Sequence, residues 1–306
     1  MHLQDHQSID GTITTTAATE DALDEWSNQF QEVFLTHHTF TVALSSAARL
    51  CFLVDQAMRH QIDHGFAMIR PPGHHASMQA AEGYCWVNHV AVATRYAQAY
   101  CKNIRHGKPK VFILDWDIHH GTGTQSIVWN DPDVTYFSIH RHARHFFPHH
   151  SDNQSGPEMT GVDGRNVNVA WTAPNAGDDD YYAVWKYLLI PMLKESSPDL
   201  VLISAGFDAA VGDMGQGQVS PECFGELTRW IKVALPIRTP IVCSLEGGYV
   251  LSVLQECVTE VIHALDEPQV DNFDSPVLVD NLEPAMQGSI RKTMECHRSY
   301  WKCLQT

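Results

Sequence analysis

Short apolar runs that each end on a knot of ionisable residues constrain the fold of this chain more than any other feature. Runs at 111–115, 134–139, 167–170, 200–204 and 241–245 are rich in Val, Ile, Leu and Phe and are followed by turn residues. Continuous apolarity over so few positions reads as strands buried on both faces, the pattern of a parallel sheet. A further run, 65–70, is stopped by Pro71-Pro72-Gly73. Helical spacing fills the intervals near 40–63, 87–101, 179–195, 221–235 and 250–265, and recurs over about 283–303. This alternation predicts an α/β chain, a mostly parallel sheet flanked by helices. Residues 1–24 are polar, Thr/Ala-rich and without a period, and are expected to form a loose arm. No repeat or low-complexity tract divides the chain, so a single domain is the expectation.

In open α/β sheets, ligands bind outside the carboxyl ends of the strands. Four polar clusters fall there: Arg70-Pro71-Pro72-Gly73-His74-His75, Asp115-Trp116-Asp117-Ile118-His119-His120, Ser204-Ala205-Gly206-Phe207-Asp208 and Leu245-Glu246-Gly247-Gly248-Tyr249. If the strand stays extended, alternation sends Asp115, Asp117 and His119 to one side. Aspartate oxygen and histidine nitrogen are ordinary zinc ligands, and Asp208 could complete a set of three. Three protein ligands with an open position mark a catalytic zinc site rather than a structural one. The adjacent His74 and His75 on a rigid Pro-Pro-Gly turn are ligands, a catalytic base pair or surface polar residues. Tyr249 beside two glycines is either part of a structural turn or a hydroxyl placed to donate to an oxyanion.

Composition narrows the function classes. The formal net charge of −16 repels polyphosphate and argues against direct DNA binding, while it attracts basic peptides. The 8 cysteines contain no C-x-x-C pair, and several lie in apolar runs, which predicts reduced thiols in an intracellular protein. No apolar run approaches the length of a membrane span, and the first residues lack the pattern of a signal peptide. Of the 19 histidines, those between 139 and 150 have no fixed ligand spacing and are expected to be solvated or at a rim. His120 is expected to point away from its neighbour His119 and to be structural.

The clusters together resemble the zinc-dependent histone deacetylase family, whose fold is a three-layer, arginase-like α/β sandwich. The resemblance runs from about Gly65 to the end and favours class II. It rests on RPPGHHA (70–76), GYCWVN (83–88), DWDIHHGTGTQ (115–125), FFP (146–148), NVNVAW (166–171), PDLVLISAGFDA (198–209) and LEGGY (245–249). The ending SIRKTMECHRSYWKCLQT (289–306) is similar to the IIa branch. The resemblance implies zinc on Asp117, His119 and Asp208, and an active-site pair His74 and His75, with His75 as general base. Asp115 matches the carboxylate that orients His74. With Ser138, Asp115 also matches a structural potassium site. Tyr249 matches the oxyanion-stabilising tyrosine, and Gly83, Tyr84 and Phe147 match the acyl-lysine tunnel.

The implied reaction is hydrolysis of the acetyl amide of N6-acetyl-lysine in histones or other proteins. Transcriptional repression, a corepressor partner and a nuclear or cytoplasmic setting go with it. Two departures bear on efficiency. Thr122 stands where the family has Asp or Asn, and a neutral hydroxyl is expected to support His75 less well. Residues 1–40 match the family poorly, so the expected domains are that segment, read as truncated or alternative, and a catalytic domain over 41–306. Tyr249, replaced by histidine in vertebrate IIa members, argues for an active enzyme. The competing readings are a non-catalytic acetyl-lysine-binding corepressor scaffold and an acetylpolyamine amidohydrolase.

Overall fold

A computed structural model describes residues 19–101, 107–148, 154–269 and 277–305. The arm expected over 1–18 and the pair His149-His150 lie outside the described residues. Residues 20–24 do not belong to a loose arm: they open helix α1, Glu20–Ser27, which Thr19 caps and which buries Leu23. Trp26 and Phe30 of this segment pack with Phe40 and Trp86, all at ring-centroid separations of 5.5–6.3 Å. The 20-residue helix α2, Thr39–Met58, follows, then strand β1, His64–Ala67. Among the described residues no strand precedes β1. The expected run to Arg70 breaks after Ala67 because the chain turns, Ile69 N–H donating to Ala67 C=O at 3.0 Å, before two prolines that could not continue a ladder.

The chain then alternates as expected: α3 (His89–Tyr100), β2 (Val111–Asp115), α4 (Thr122–Val128), β3 (Val134–Arg141), β4 (Asn166–Trp171), α5 (Asp178–Val184) and α6 (Ile190–Ser196). It continues through β5 (Leu200–Ala205), α7 (Pro221–Ala234), β6 (Ile241–Leu245), α8 (Leu251–Asp266) and α9 (Pro284–His297). A π-helical turn, Trp185–Leu189, joins α5 to α6. Pro191 lacks the N–H that would bond the Tyr187 carbonyl, and a missing rung of that kind favours a wider turn. The last helix stops at His297, short of the expected 303. There Trp301 turns inward to donate from Nε1 to Gly164 C=O at 2.9 Å, and Glu195 caps the N–H groups of Lys302 and Cys303.

Among the described residues six strands form one parallel sheet, in the order β1-β6-β5-β2-β3-β4. Alternation along β2 divides the interior. Val111 and Ile113 pack with Leu50, Val54 and Val90 of α2 and α3 on one face. Phe112 and Leu114 pack with Trp185, Leu188 and Phe224 of the later helices on the other. Two helical layers therefore sandwich the sheet, the three-layer arrangement expected. From β2 the chain moves outward to β3 and β4, then returns to place β5 on the opposite side of β2. Such a reversal opens a crevice at the carboxyl ends of the two strands.

Candidate metal centre and active site

The crevice beyond β2 and β5 gathers Asp117, His119 and Asp208. One ligand atom from each lies within 4.8 Å of the others. The strand does not stay extended past Asp115. Asp117 N–H turns back to Asp115 Oδ1 at 3.3 Å, and His119 N–H to Asp117 Oδ1 at 2.9 Å. These local turns separate Asp115 from the other two, so the shared face expected of all three is realised only for Asp117 and His119.

His119 Nδ1 lies 3.0 Å from Asp117 Oδ1 and 2.9 Å from Asp208 Oδ2. Backbone N–H groups hold the other carboxylate oxygens: Gly247 donates to Asp117 Oδ2 at 2.8 Å and Ile118 to Asp208 Oδ1 at 2.9 Å. Glycine is required at 206 and 247, because a Cβ at either would collide with these carboxylates. Burial alone would lower the His119 pKa, yet Asp208 and Asp117 raise it to about 10. Burial, reinforced by the charge of Asp117, pushes Asp208 up from its ordinary value. Burial also acts to raise Asp117, but His74 and His119 outweigh it and hold that carboxyl low. Two oxygen donors and one nitrogen in a pocket whose field favours positive charge fit a zinc ion.

His74 and His75 flank this centre, their rings 4.0 Å apart. Glu246 fixes the turn that carries them, accepting the N–H groups of Gly73 at 2.6 Å and His74 at 3.1 Å. His74 Nδ1 meets Asp115 Oδ2 at 3.1 Å, and the Tyr136 hydroxyl donates to the same oxygen at 2.9 Å. Burial opposes charge on His74, but Asp115 and Asp117 overcome it and raise its pKa well above the ordinary value. For His75, burial and the neighbouring His74 and His119 act together and lower it well below. His75 Nδ1 faces Thr122 Oγ1 at 3.5 Å, and that hydroxyl donates to Glu82 Oε2 at 3.2 Å.

The residues expected to wall the acyl-lysine tunnel lie beside the pair. Phe147 and His75 meet nearly perpendicular at 4.9 Å, and Tyr84 stands 6.2 Å from Tyr249. Gly83 sits at φ +52°, and a Cβ there would meet His75 and Phe147 within 2.9 Å. Phe146 stacks on His119 at 4.8 Å. Asp213 fixes the Tyr249 turn by accepting the N–H groups of Tyr249 at 2.9 Å and Val250 at 2.8 Å. Burial, then the charges of Asp208 and Asp117, raises the Tyr249 phenol and keeps it protonated. The front segment reaches this mouth directly: Gln31 and Glu32 carbonyls accept Gly83 N–H at 3.1 Å and Tyr84 N–H at 2.8 Å. Beside it a cavity of about 440 Å³ is lined by Phe34, Thr36, His38, Arg70, Tyr84 and Tyr249, among others.

Other candidate residues fall elsewhere. Asp115 and Ser138 stand in register on adjacent strands, both fully buried, but Ser138 Oγ bonds His140 Nδ1 at 2.8 Å. His140 is not a rim histidine. It is fully buried, with Nε2 against Ser155 C=O at 2.9 Å, because β3 runs two residues further than expected and carries it inside. His120 points away from the centre and meets Gln125 Oε1 at 3.0 Å, the structural role expected. Glu82, Tyr136, Asp213 and Glu246 received no role from sequence. Glu246 lies inside a motif singled out there, whereas the other three carry no local pattern that marks them.

A histone deacetylase domain family matches residues 2–265. The chain is similar to the human polyamine deacetylase HDAC10, with 37% identity over 294 residues, which cover 94% of this chain and 42% of that protein. The mouse polyamine deacetylase HDAC10 is 35% identical over the same shares. Histone deacetylase 6 of Caenorhabditis elegans is 34% identical over 304 residues, covering 95% of this chain and 31% of its own length. The chain thus spans less than half the length of these relatives.

Proposed function

The chain belongs to the histone deacetylase family, and from that premise we propose that it hydrolyses the acetyl amide of N6-acetyl-lysine in proteins, with zinc held by Asp117, His119 and Asp208. The observation that carries the reading is the convergence of those three ligand atoms within 4.8 Å, beside the His74–His75 pair.

The acetylated stem enters between Tyr84 and Phe147. A neutral amide crosses these aromatic walls readily, whereas a free ammonium would lose its hydration there. Zinc, when bound, supplies the Lewis acidity that polarises the acetyl carbonyl and acidifies the attacking water. His75 accepts a proton from that water as the carbon–oxygen bond forms. The Tyr249 hydroxyl donates to the developing oxyanion. His74, clamped by Asp115 and Glu246, keeps the pair in place, and the pair returns the proton to the leaving lysine amine. A structural potassium is part of the same reading. Support for it is the paired position of Asp115 and Ser138 in the sheet, the residues that would hold the ion.

Deacetylation of acetylated polyamines is the second reading, favoured by what the human and mouse relatives are named for. The lining of the mouth cavity weighs against it, since among the described residues Arg70 is there and no carboxylate is. A polycation would meet the charge of Arg70 there, with only aromatic faces to offset it. A scaffold that binds acetyl-lysine without turnover is the third reading, and the presence of Tyr249 opposite the centre weighs against it.

The test is acetate release by purified, zinc-loaded protein, with an acetyl-lysine peptide and an acetylated polyamine in competition. Preferential turnover of the peptide is expected. Preferential turnover of the polyamine would overturn the protein-lysine reading, and binding of both without acetate release would leave the scaffold.

A further inference from the structure

The Thr122 hydroxyl sits between two partners that make opposite demands on it. It donates to Glu82 Oε2 at 3.2 Å, and its oxygen lies 3.5 Å from His75 Nδ1. A hydroxyl has one proton to give, and an ionised carboxylate can only accept. With that proton committed to Glu82, Thr122 can only accept on its other side. His75 must then carry its own proton on Nδ1, and the lone pair stays on Nε2.

We infer that Glu82, acting through Thr122, sets the tautomer of His75 and keeps Nε2 the basic atom. The inference rests on His75 as the general base in the reading above. Glu82 is therefore a positioning residue that touches neither substrate nor metal. Without it the Thr122 hydroxyl is free to rotate and donate to Nδ1. The imidazole proton would then move to Nε2, the atom that has to receive one. The 3.5 Å separation is long, as such bonds often are before a substrate closes the site.

The geometry that places the carboxylate is local and tight. Glu82 N–H donates to Cys85 C=O at 3.2 Å, and Cys85 N–H returns to Glu82 C=O at 2.9 Å. The next two residues are tied to the Gln31 and Glu32 carbonyls. On the far side, Phe147 packs against the His75 ring. A neutral residue at 122 thus does not leave the histidine without anionic support. The carboxylate stands one side chain further away, and the hydroxyl relays it.

The test uses Glu82→Ala, Thr122→Val and the double variant Glu82→Ala/Thr122→Asp, which restores a carboxylate directly beside His75. Proton–nitrogen spectra of protein labelled in its imidazole rings read the tautomer, with His75 assigned by its absence in His75→Ala. The Nδ1–H form is expected in the wild type and in the double variant, and its loss in Glu82→Ala and in Thr122→Val. In kinetics Glu82→Ala is expected to lower kcat about tenfold or more with KM within about twofold, and Thr122→Asp to restore most of it. Glu82→Ala added to Thr122→Val should cost nothing further. A wild-type His75 protonated on Nε2, or an unchanged tautomer in Glu82→Ala, would overturn the relay. A tautomer that shifts as expected in a protein with no turnover would support the relay and remove the deacetylase reading.

Discussion

Glu246 accepts the backbone N–H of His74 across 172 residues of sequence, at 3.1 Å, and so ties the end of β6 to the turn after β1. Because the same oxygen also holds Gly73 N–H, truncation strands two buried donors. Glu246→Ala is expected to destabilise the fold by about 3 kcal/mol and to lower kcat by displacing the His74–His75 turn. Glu246→Gln retains an oxygen for both donors and is expected to lose only about 1 kcal/mol. Thermal unfolding of the two variants beside the wild type checks the order.

Removing a metal ligand should be visible without any assay of turnover. Zinc added to stripped wild-type protein is expected to raise Tm by several degrees, since about 4 kcal/mol follows from free metal at a thousandfold its Kd. Asp117→Asn and Asp208→Asn are expected to abolish that rise. Metal content after dialysis gives the parallel reading.

Tyr249→Phe removes one hydroxyl and little else. It is expected to reduce kcat by about a hundredfold or more, with smaller effects on KM and none on metal content. Activity within about twofold of the wild type would remove Tyr249 from the oxyanion role.

Gly83→Ala addresses the tunnel. The added methyl meets His75 and Phe147 and sits on a backbone at φ +52°, which costs an L-residue about 1 kcal/mol before any clash. Loss of kcat/KM with an intact fold, checked by circular dichroism, is expected.

Acid sensitivity should come from two buried histidines that take no part in the proposed proton transfer, His89 behind the Gly73 turn and His297 at the end of α9. Burial lowers both His89 and His297 to about 4. Their unfolded forms titrate near the ordinary value, so between about 6.5 and 4 the unfolded chain binds more protons than the native one. Stability is therefore full above that window and falls as pH drops through it, by up to about 1.4 kcal/mol per pH unit for each residue. His297→Gln should flatten the decline of Tm between pH 6.5 and 4, which unfolding scans across that range would measure.

The grouping of Asp117, His119 and Asp208 could be read from sequence because each follows a strand at a point where packing alone would not place an ionisable side chain. The strands themselves were legible for a related reason: residues buried on both faces leave a short unbroken apolar run. Where the structure departs, side-chain partners decide. Helix α4 has no apolar period, and its buried Thr124 and Gln125 are held by hydrogen bonds instead, Thr124 Oγ1 with Asn88 and Gln125 Oε1 with Asn166 and Asn168. Glu82 and Thr122 are 40 residues apart and carry no motif between them, so only folding brings them together. The front segment looked featureless because its anchors, Trp26, Phe30 and the Gln31 and Glu32 carbonyls, act as isolated contacts rather than as a pattern.

The strand order has a consequence for synthesis of the chain. Strand β1 emerges early, yet among the described residues its one neighbour in the sheet is β6, and His64 pairs with Ile241. Between β1 and β2 stand β5 and β6, which are made after β2, β3 and β4. A ribosome that has released residues up to β4 therefore holds three joined strands and one orphan, with Asp117 and His119 exposed and their third partner unsynthesised. The pocket around Asp117, His119 and Asp208 closes only when β5 and β6 are inserted into the gap. Chains that end before residue 245 should thus fail to retain zinc, and metal content of such truncated chains beside the full 306 residues would measure it.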